Sequence, residues 1–225
     1  HNSHKEQRET NFRTLNMTTH IIWDWNGTLL DDVQACVDAI NRMLEARNLP
    51  RINRNYYRDI FDFPVKGYYK RLGFNLATED WDTMANEFHL HYAEFSAVSQ
   101  LRPQTAETLQ QIRDSGMGMS ILSACEITIL ERMLKEHNIR HFFDNVVGLS
   151  DRYAASKLSQ GKRLMQTLSL SPTEILLVGD TNHDHDVADA LGTRCILLTG
   201  GHQSEHRLIH HETVNQLPDL LHHIA

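Results

Sequence analysis

Four short apolar runs constrain this chain more than any other feature: Ile21-Ile22-Trp23, Met119-Ser120-Ile121-Leu122, Ile175-Leu176-Leu177-Val178 and Cys195-Ile196-Leu197-Leu198. None is long enough for an ordinary helix, and none shows strict apolar–polar alternation. That is the pattern of strands covered on both faces, and so of a parallel sheet. Val146-Val147 is a weaker fifth run. Between the runs, apolar residues recur at helical spacing. They are Ala106, Leu109 and Ile112 within 105–114, and Ile127, Leu130 and Leu134 within 127–138. Leu158, Leu164, Met165 and Leu168 follow within 158–168, then Val187, Ala188 and Leu191 within 184–191. Strand and helix in alternation predict an α/β fold with right-handed crossovers.

One stretch breaks the alternation. Between Val33 and Gln100 the patterns are helical only, at 33–47, 56–61, 65–72 and 79–97, with Pro50 and Pro64 between them where a missing N–H does least harm. The expected organisation is an all-helical insert, 31–100, in a core made of 17–30 and 101–225. Residues 1–16 are polar, without the apolar segment of a secretory signal, and read as a disordered tail or extension. Asp and Glu (29) outnumber Lys and Arg (22), a net charge of −7 that argues against nucleic acid as a partner. No apolar run approaches the ~18 residues of a membrane span. The three cysteines, Cys36, Cys125 and Cys195, are scattered, which excludes a disulfide framework and suits a reducing compartment. A cytoplasmic protein without a membrane partner is expected, as monomer or dimer.

Two of the apolar runs end in acids. The first continues as Asp24-Trp25-Asn26-Gly27-Thr28-Leu29-Leu30, and the third as Gly179-Asp180-Thr181-Asn182-His183-Asp184. In an open parallel sheet, ligands bind at the carboxyl ends of the strands. Carboxylates at two such ends suit a hard divalent ion that takes oxygen ligands. Each acid also has a structural reading, Asp24 as a turn residue and Asp184 as a helix N-terminal acid favoured by the dipole. The second run ends in Ser123-Ala124, where a hydroxyl and backbone N–H groups suit a phosphate oxygen or a simple turn. Ser156-Lys157 opens a helix, its lysine either balancing an anion and an aspartate or solvated.

Together and in this order, these features resemble the haloacid dehalogenase-like hydrolase superfamily. Its D-x-D-G-T-L motif is matched by Asp24 to Leu29, and its Ser or Thr after the next core strand by Ser123. Its lysine is matched best by Lys157, with Lys162 second, and its G-D-x-x-x-D motif by Gly179, Asp180 and Asp184. The resemblance runs from about Thr19 to the C-terminus. It implies a Rossmann-like core with a helical cap between the first two motifs. Phe63-Pro64-Val65-Lys66 and Gly200-Gly201-His202-Gln203 are similar to the phosphoglycolate phosphatase-like branch. The implied activity is Mg²⁺-dependent hydrolysis of a small phosphorylated metabolite. Asp24 is the implied nucleophile, forming an aspartyl-phosphate. Asp24, the Asn26 backbone carbonyl and Asp180 are the implied metal ligands, with Asp184 in support. Ser123, Ala124 and Lys157 hold phosphate oxygens, and Lys66 in the cap reaches the substrate.

The chain departs from the family pattern at Asn26, where the family has the aspartate that protonates the leaving group and then activates water. An amide carries no such proton, and general acid–base help is typically worth ~10²–10⁴ in rate. The favoured reading is still a phosphatase, with good leaving groups or a proton donor elsewhere. The alternatives are a weak or inactive relative that binds a phosphorylated ligand, or an introduced substitution that traps the enzyme. A dehalogenase fits less well, because Asp180 is present. His202 is the histidine to test first as a replacement donor, ahead of His183 and His185. The spacing of His202, His206 and His210 suits one helix face, read as a solvated face over a Zn²⁺ or Ni²⁺ site. Arg51, Arg58, Lys66 and Tyr69 are candidates to read an anionic substrate tail. Cys125 and Arg132 do not have the spacing of a cysteine-phosphatase loop.

Overall fold

The computed structural model describes residues 17–150 and 156–224, so the expected N-terminal tail lies outside the described residues. In chain order the strands are β1 (His20–Trp23), β2 (Leu30–Asp31), β3 (Gln100–Leu101), β4 (Gly118–Glu126), β5 (Asn145–Leu149), β6 (Ile175–Gly179), β7 (Arg194–Leu198) and β8 (Thr213–Val214). The helices are α1 (Val33–Ala46), α2 (Arg54–Ile60), α3 (Val65–Arg71), α4 (Trp81–Ser96), α5 (Thr105–Asp114), α6 (Ile127–Glu136), α7 (Lys157–Leu168), α8 (Asn182–Leu191) and the one-turn α9 (Leu221–Ile224).

Six strands form one sheet in the order β5-β4-β1-β6-β7-β8, every pair parallel. The apolar runs became strands because both faces of the sheet are covered. Successive side chains on a strand point to opposite faces. Ile21 and Trp23 join Leu109, Ile112, Met119, Ile121, Leu130 and Leu134 on one side. Ile22 joins Leu122, Leu164, Leu177, Val187 and Leu191 on the other. Each such fully buried side chain stabilises the fold by roughly 1.5–3 kcal/mol.

Residues 33–92 build a separate apolar cluster of Val37, Ile40, Met43, Leu44, Tyr57, Tyr68, Tyr69 and Met84. It connects to the sheet through the antiparallel pair β2–β3, with Leu30 opposite Leu101 and Asp31 opposite Gln100. The sequence reading expected helix alone over this stretch. Two-residue strands are too short to leave a periodic signal. The same holds for β8, which extends the sheet by one strand past β7. His202, His206 and His210 do not share a helix. His206 lies in a single 3₁₀ turn, Glu205–Arg207, with His202 and His210 in the flanking loops.

Candidate active site

The central position of β1 brings three strand ends together. Asp24 follows β1, Asp180 follows β6, and Ser123 lies within β4 where its pairing with β5 shifts register between Leu122 and Glu126. A bulge of this kind re-aims side chains and frees backbone groups. The Ser123 side chain is fully buried, and its Oγ accepts from the Cys125 N–H at 3.0 Å, leaving its own hydrogen to donate elsewhere. Ala124 beside it is exposed.

Lys157, the first residue of α7, reaches into the acids. Its Nζ lies 2.5 Å from Asp24 Oδ1 and 2.6 Å from Asp184 Oδ1, with all three groups buried. The exposed Lys162, on the same helix, is not the motif lysine. Thr28 Oγ1 stands 3.1 Å from both Asp24 Oδ2 and Asp180 Oδ1. Asp184 Oδ2 accepts from the Asp180 and Thr181 N–H groups and the Thr181 hydroxyl. Asp184 therefore has its structural reading, closing a capping box at the start of α8, and it also pairs with Lys157. Carboxylate oxygens of Asp24, Asp180 and Asp184 lie within 4.8 Å of one another.

The charges in this cluster are not balanced by the protein alone. Burial pushes Asp24 well above the ordinary carboxylate range, Asp184 and Asp180 add to the effect, and Lys157 opposes it. Burial lifts Asp180 to about 6 despite the nearby His202. Asp184 is also buried, but Lys157 and its N–H donors hold it below its usual value. One lysine thus stands against three buried carboxylates, which is a donor set suited to a hard cation.

Asn26 is held in one orientation. Its Nδ2 donates to Asp32 Oδ2 at 2.8 Å and reaches Tyr92 Oη at 2.9 Å. Asp32 accepts but cannot donate, so the amide nitrogen must face it. Asp32 precedes α1 but caps nothing with its side chain. Its carboxylate takes the Gly27 N–H at 2.8 Å, the Tyr92 hydroxyl at 2.7 Å and His202 Nε2 at 3.1 Å. His202 Nδ1 meets Tyr57 Oη at 2.8 Å, and the His202 backbone N–H donates to Asp180 at 2.6 Å. Burial works against charge on His202, but Asp32 overrides it and raises the imidazole to about 9. Asp32, buried as well, is held below its ordinary range chiefly by His202.

Close packing explains Gly27. Its φ is +75°, and a Cβ there would run into the Asp180 carboxylate and the His202 ring. Arg102 fixes the same turn from the exit of β3, donating to Gly27 O at 3.0 Å and Thr199 O at 2.8 Å.

Asp24, Asn26, Ser123, Lys157, Asp180 and Asp184 thus converge on one end of the sheet. Lys66 is not tied to this cluster. It is exposed, with Nζ 5.2 Å from the centre of the Trp81 ring. Arg51 pairs with Glu45, and Tyr69 is buried in the helical cluster. Arg58 is half-buried beside the sheet's loops, its Nε buried without a partner. His183 stacks on Phe63 with ring centres 4.4 Å apart, and His185 packs on His211. The sequence reading missed Thr28, Asp32, Tyr57, Tyr92 and Arg102. Thr28 stood inside the quoted motif. The others come from separate elements, and no spacing marks them.

The model of the haloacid dehalogenase-like hydrolase family matches residues 21–198. Among curated proteins, a phosphoglycolate phosphatase of Pseudomonas putida is 27% identical over 191 residues, covering 81% of this chain and 70% of that protein. One from Aquifex aeolicus is 24% identical, covering 89% and 94%. Among solved structures, a haloacid dehalogenase-like family protein of Streptococcus pneumoniae superposes with a TM-score of 0.76 at 20% identity, covering 92% of this chain and 99% of that one. CbbY from Rhodobacter sphaeroides, solved with phosphate, gives 0.71 at 17% identity, covering 91% and 96%. The chain belongs to the haloacid dehalogenase-like hydrolase family, and the curated relatives it resembles are phosphoglycolate phosphatases.

Proposed function

We propose that this enzyme hydrolyses a small phosphate monoester, of the phosphoglycolate kind, through an aspartyl-phosphate on Asp24 with Mg²⁺ as cofactor. The observation that carries the reading is the buried set of Asp24, Asp180, Asp184 and Lys157 at the carboxyl end of the sheet. Its oxygens fit Mg²⁺, a hard ion bound through a few carboxylates and waters. Asp24, Asp180 and the Asn26 carbonyl would hold it. Asp184 acts in support, holding Lys157 through Oδ1 while its Oδ2 accepts from three donors at the start of α8. When bound, Mg²⁺ supplies charge that keeps the carboxylates ionised and offsets their repulsion of the phosphate.

The remaining steps belong to the chain. A carboxylate oxygen of Asp24 attacks phosphorus, and the bond from phosphorus to the leaving oxygen breaks. Lys157 and the Ser123 hydroxyl hold the transferring oxygens, with backbone N–H groups around Ala124. Water then attacks the phosphorus, releasing inorganic phosphate and restoring Asp24. The helical insert acts as a cap that excludes bulk water during both steps.

Asn26 changes the acid–base part. With Nδ2 turned to Asp32 and Tyr92, its Oδ1 is left to accept from the attacking water or the leaving hydroxyl. His202 is not a free donor in this arrangement, since both ring nitrogens are engaged by Asp32 and Tyr57. The leaving oxygen therefore takes its proton from water, and esters with good leaving groups are the better substrates. Phosphate release across a panel of small esters, with Mg²⁺ and with a chelator, tests the reading against Asp24→Ala. Turnover that needs both Mg²⁺ and Asp24 is expected. Tight binding of a phosphorylated ligand by the folded protein without turnover would instead favour a binding relative.

A further inference from the structure

The loop after β7 does more than complete the sheet. Four of its residues reach across to α2 of the helical insert. The His202 ring meets the Tyr57 hydroxyl at 2.8 Å. Gln203 Nε2 donates to Phe61 O at 3.1 Å, while its Oε1 accepts from the Asn182 N–H at 2.8 Å. The Ser204 N–H donates to Arg58 O at 3.1 Å, and its hydroxyl bonds Asp59. Arg207 donates through Nη1 to Phe61 O at 2.5 Å and to Arg58 O at 3.3 Å, and pairs through Nη2 with Asp62 at 3.2 Å.

The last carbonyls of a helix have no partner within it. Here the Arg58 carbonyl near the end of α2 and that of Phe61 just past it are satisfied by the core, while that of Ile60 takes Arg71 of the insert. With seven residues, α2 is far too short to hold its shape alone. Inside the insert it is held by Arg71 on the Ile60 carbonyl and by the Tyr57 and Phe61 rings against Tyr68, and the loop ties it to the core. Arg207 makes three of the contacts, its side chain is only 17% exposed, and two of the bonds are charge-assisted donations to carbonyl oxygen.

We propose that Arg207 is a positioning residue of the reaction, the latch that holds α2 closed over the Asp24 site. The inference rests on the phosphatase reading for its kinetic arm only. It touches no reacting atom. It acts through α2, which carries Tyr57 and Arg58 at the seam. Opening the seam also uncovers Cys36, a thiol 8% exposed that shares a cluster with Asp32 and His202, their ligating atoms within 4.8 Å of one another.

The test uses the full chain with Arg207→Ala, Arg207→Lys and, as a control for loss of a surface ion pair, Arg194→Ala, whose partner is Glu212. Alkylation of Cys36 by iodoacetamide is followed by peptide mass spectrometry. KM and kcat are measured with an aryl phosphate, and folding by thermal melt. For Arg207→Ala we expect at least about tenfold faster Cys36 labelling and at least about a tenfold higher KM, since one of the three lost contacts alone is worth that much, with kcat changed less than about threefold. Arg207→Lys should fall between this variant and the wild type, and Arg194→Ala should match the wild type. Wild-type labelling and KM in a folded Arg207→Ala would overturn the proposal. So would labelling that rises only in step with global unfolding, which marks a role in stability alone. A wild type without turnover would remove the phosphatase reading, and Cys36 labelling would still decide the latch.

Discussion

Replacing Asn26 by aspartate restores the family's residue, but into a setting that has adapted to the amide. Asn26 Nδ2 donates to Asp32 Oδ2 at 2.8 Å, so Asn26→Asp sets one carboxylate against another. If the pair relaxes to ~4 Å, ionising the new group costs about 4 kcal/mol at an effective dielectric of 20, enough to leave roughly half of it protonated at neutral pH. Asp32 stays the charged member, because His202 stabilises its anion. The variant therefore gains a carboxylic acid where the leaving oxygen departs. For alkyl phosphates, which need a proton on leaving, kcat should rise about 10²-fold or more, within the usual span of general acid catalysis. For aryl phosphates with good leaving groups the gain should be less than about threefold, a contrast that follows from the same principle. The assay is phosphate release from a matched alkyl and aryl pair in Asn26→Asp and in Asn26→Asp with Asp32→Asn. The double variant removes the repulsion, lowers the new group's pKa and should lose part of the alkyl gain. An equal change for both esters in Asn26→Asp would refute the reasoning, as would a loss for both.

Two further predictions concern stability. His202 titrates near 6.5 unfolded and about 9 folded, so its contribution is fully present below pH 6.5 and is lost as pH rises through 9. Urea unfolding should show a loss of about 3 kcal/mol across that window, and Asp32→Asn should flatten it; an unchanged profile in the variant would assign the effect elsewhere. Lys157→Met leaves Asp24 and Asp184 buried without their cation, which should cost roughly 3–5 kcal/mol and abolish phosphate release. Stability within about 1 kcal/mol of the wild type, judged against that range, would mean the carboxylates are not charged in the folded state.

The sheet and the acids at its strand ends were legible because they depend on local pattern. A strand covered on both faces must be apolar throughout, and Asp24 and Asp180 follow such runs directly. The four insert helices were legible for the same reason, each within three residues at either end. What surrounds Asn26 was not. Asp32 precedes α1 without capping it, and its carboxylate is taken up by Gly27, Asn26, Tyr92 and His202. Tyr92 follows Met84 and Phe88 on the apolar stripe of α4, a spacing that speaks of packing and not of a site, and His202 comes from a loop after β7. Lys66, expected from its motif to reach the substrate, has its amine 5.2 Å from the centre of the Trp81 ring.

The place of β1 at the middle of the sheet also orders how this molecule is made. Ile22 pairs with Ser120 on one side and Leu177 on the other, so the central strand has no neighbour until β4 is made and no second one until β6 is. The contacts of the insert are far more local, and such contacts form early. During synthesis the insert can therefore fold while the apolar run before Asp24 waits unpaired, a period in which exposed strand edges favour aggregation. Asp24 meets Asp180 only when β6 docks, so the catalytic centre is among the last parts of the protein to come into being.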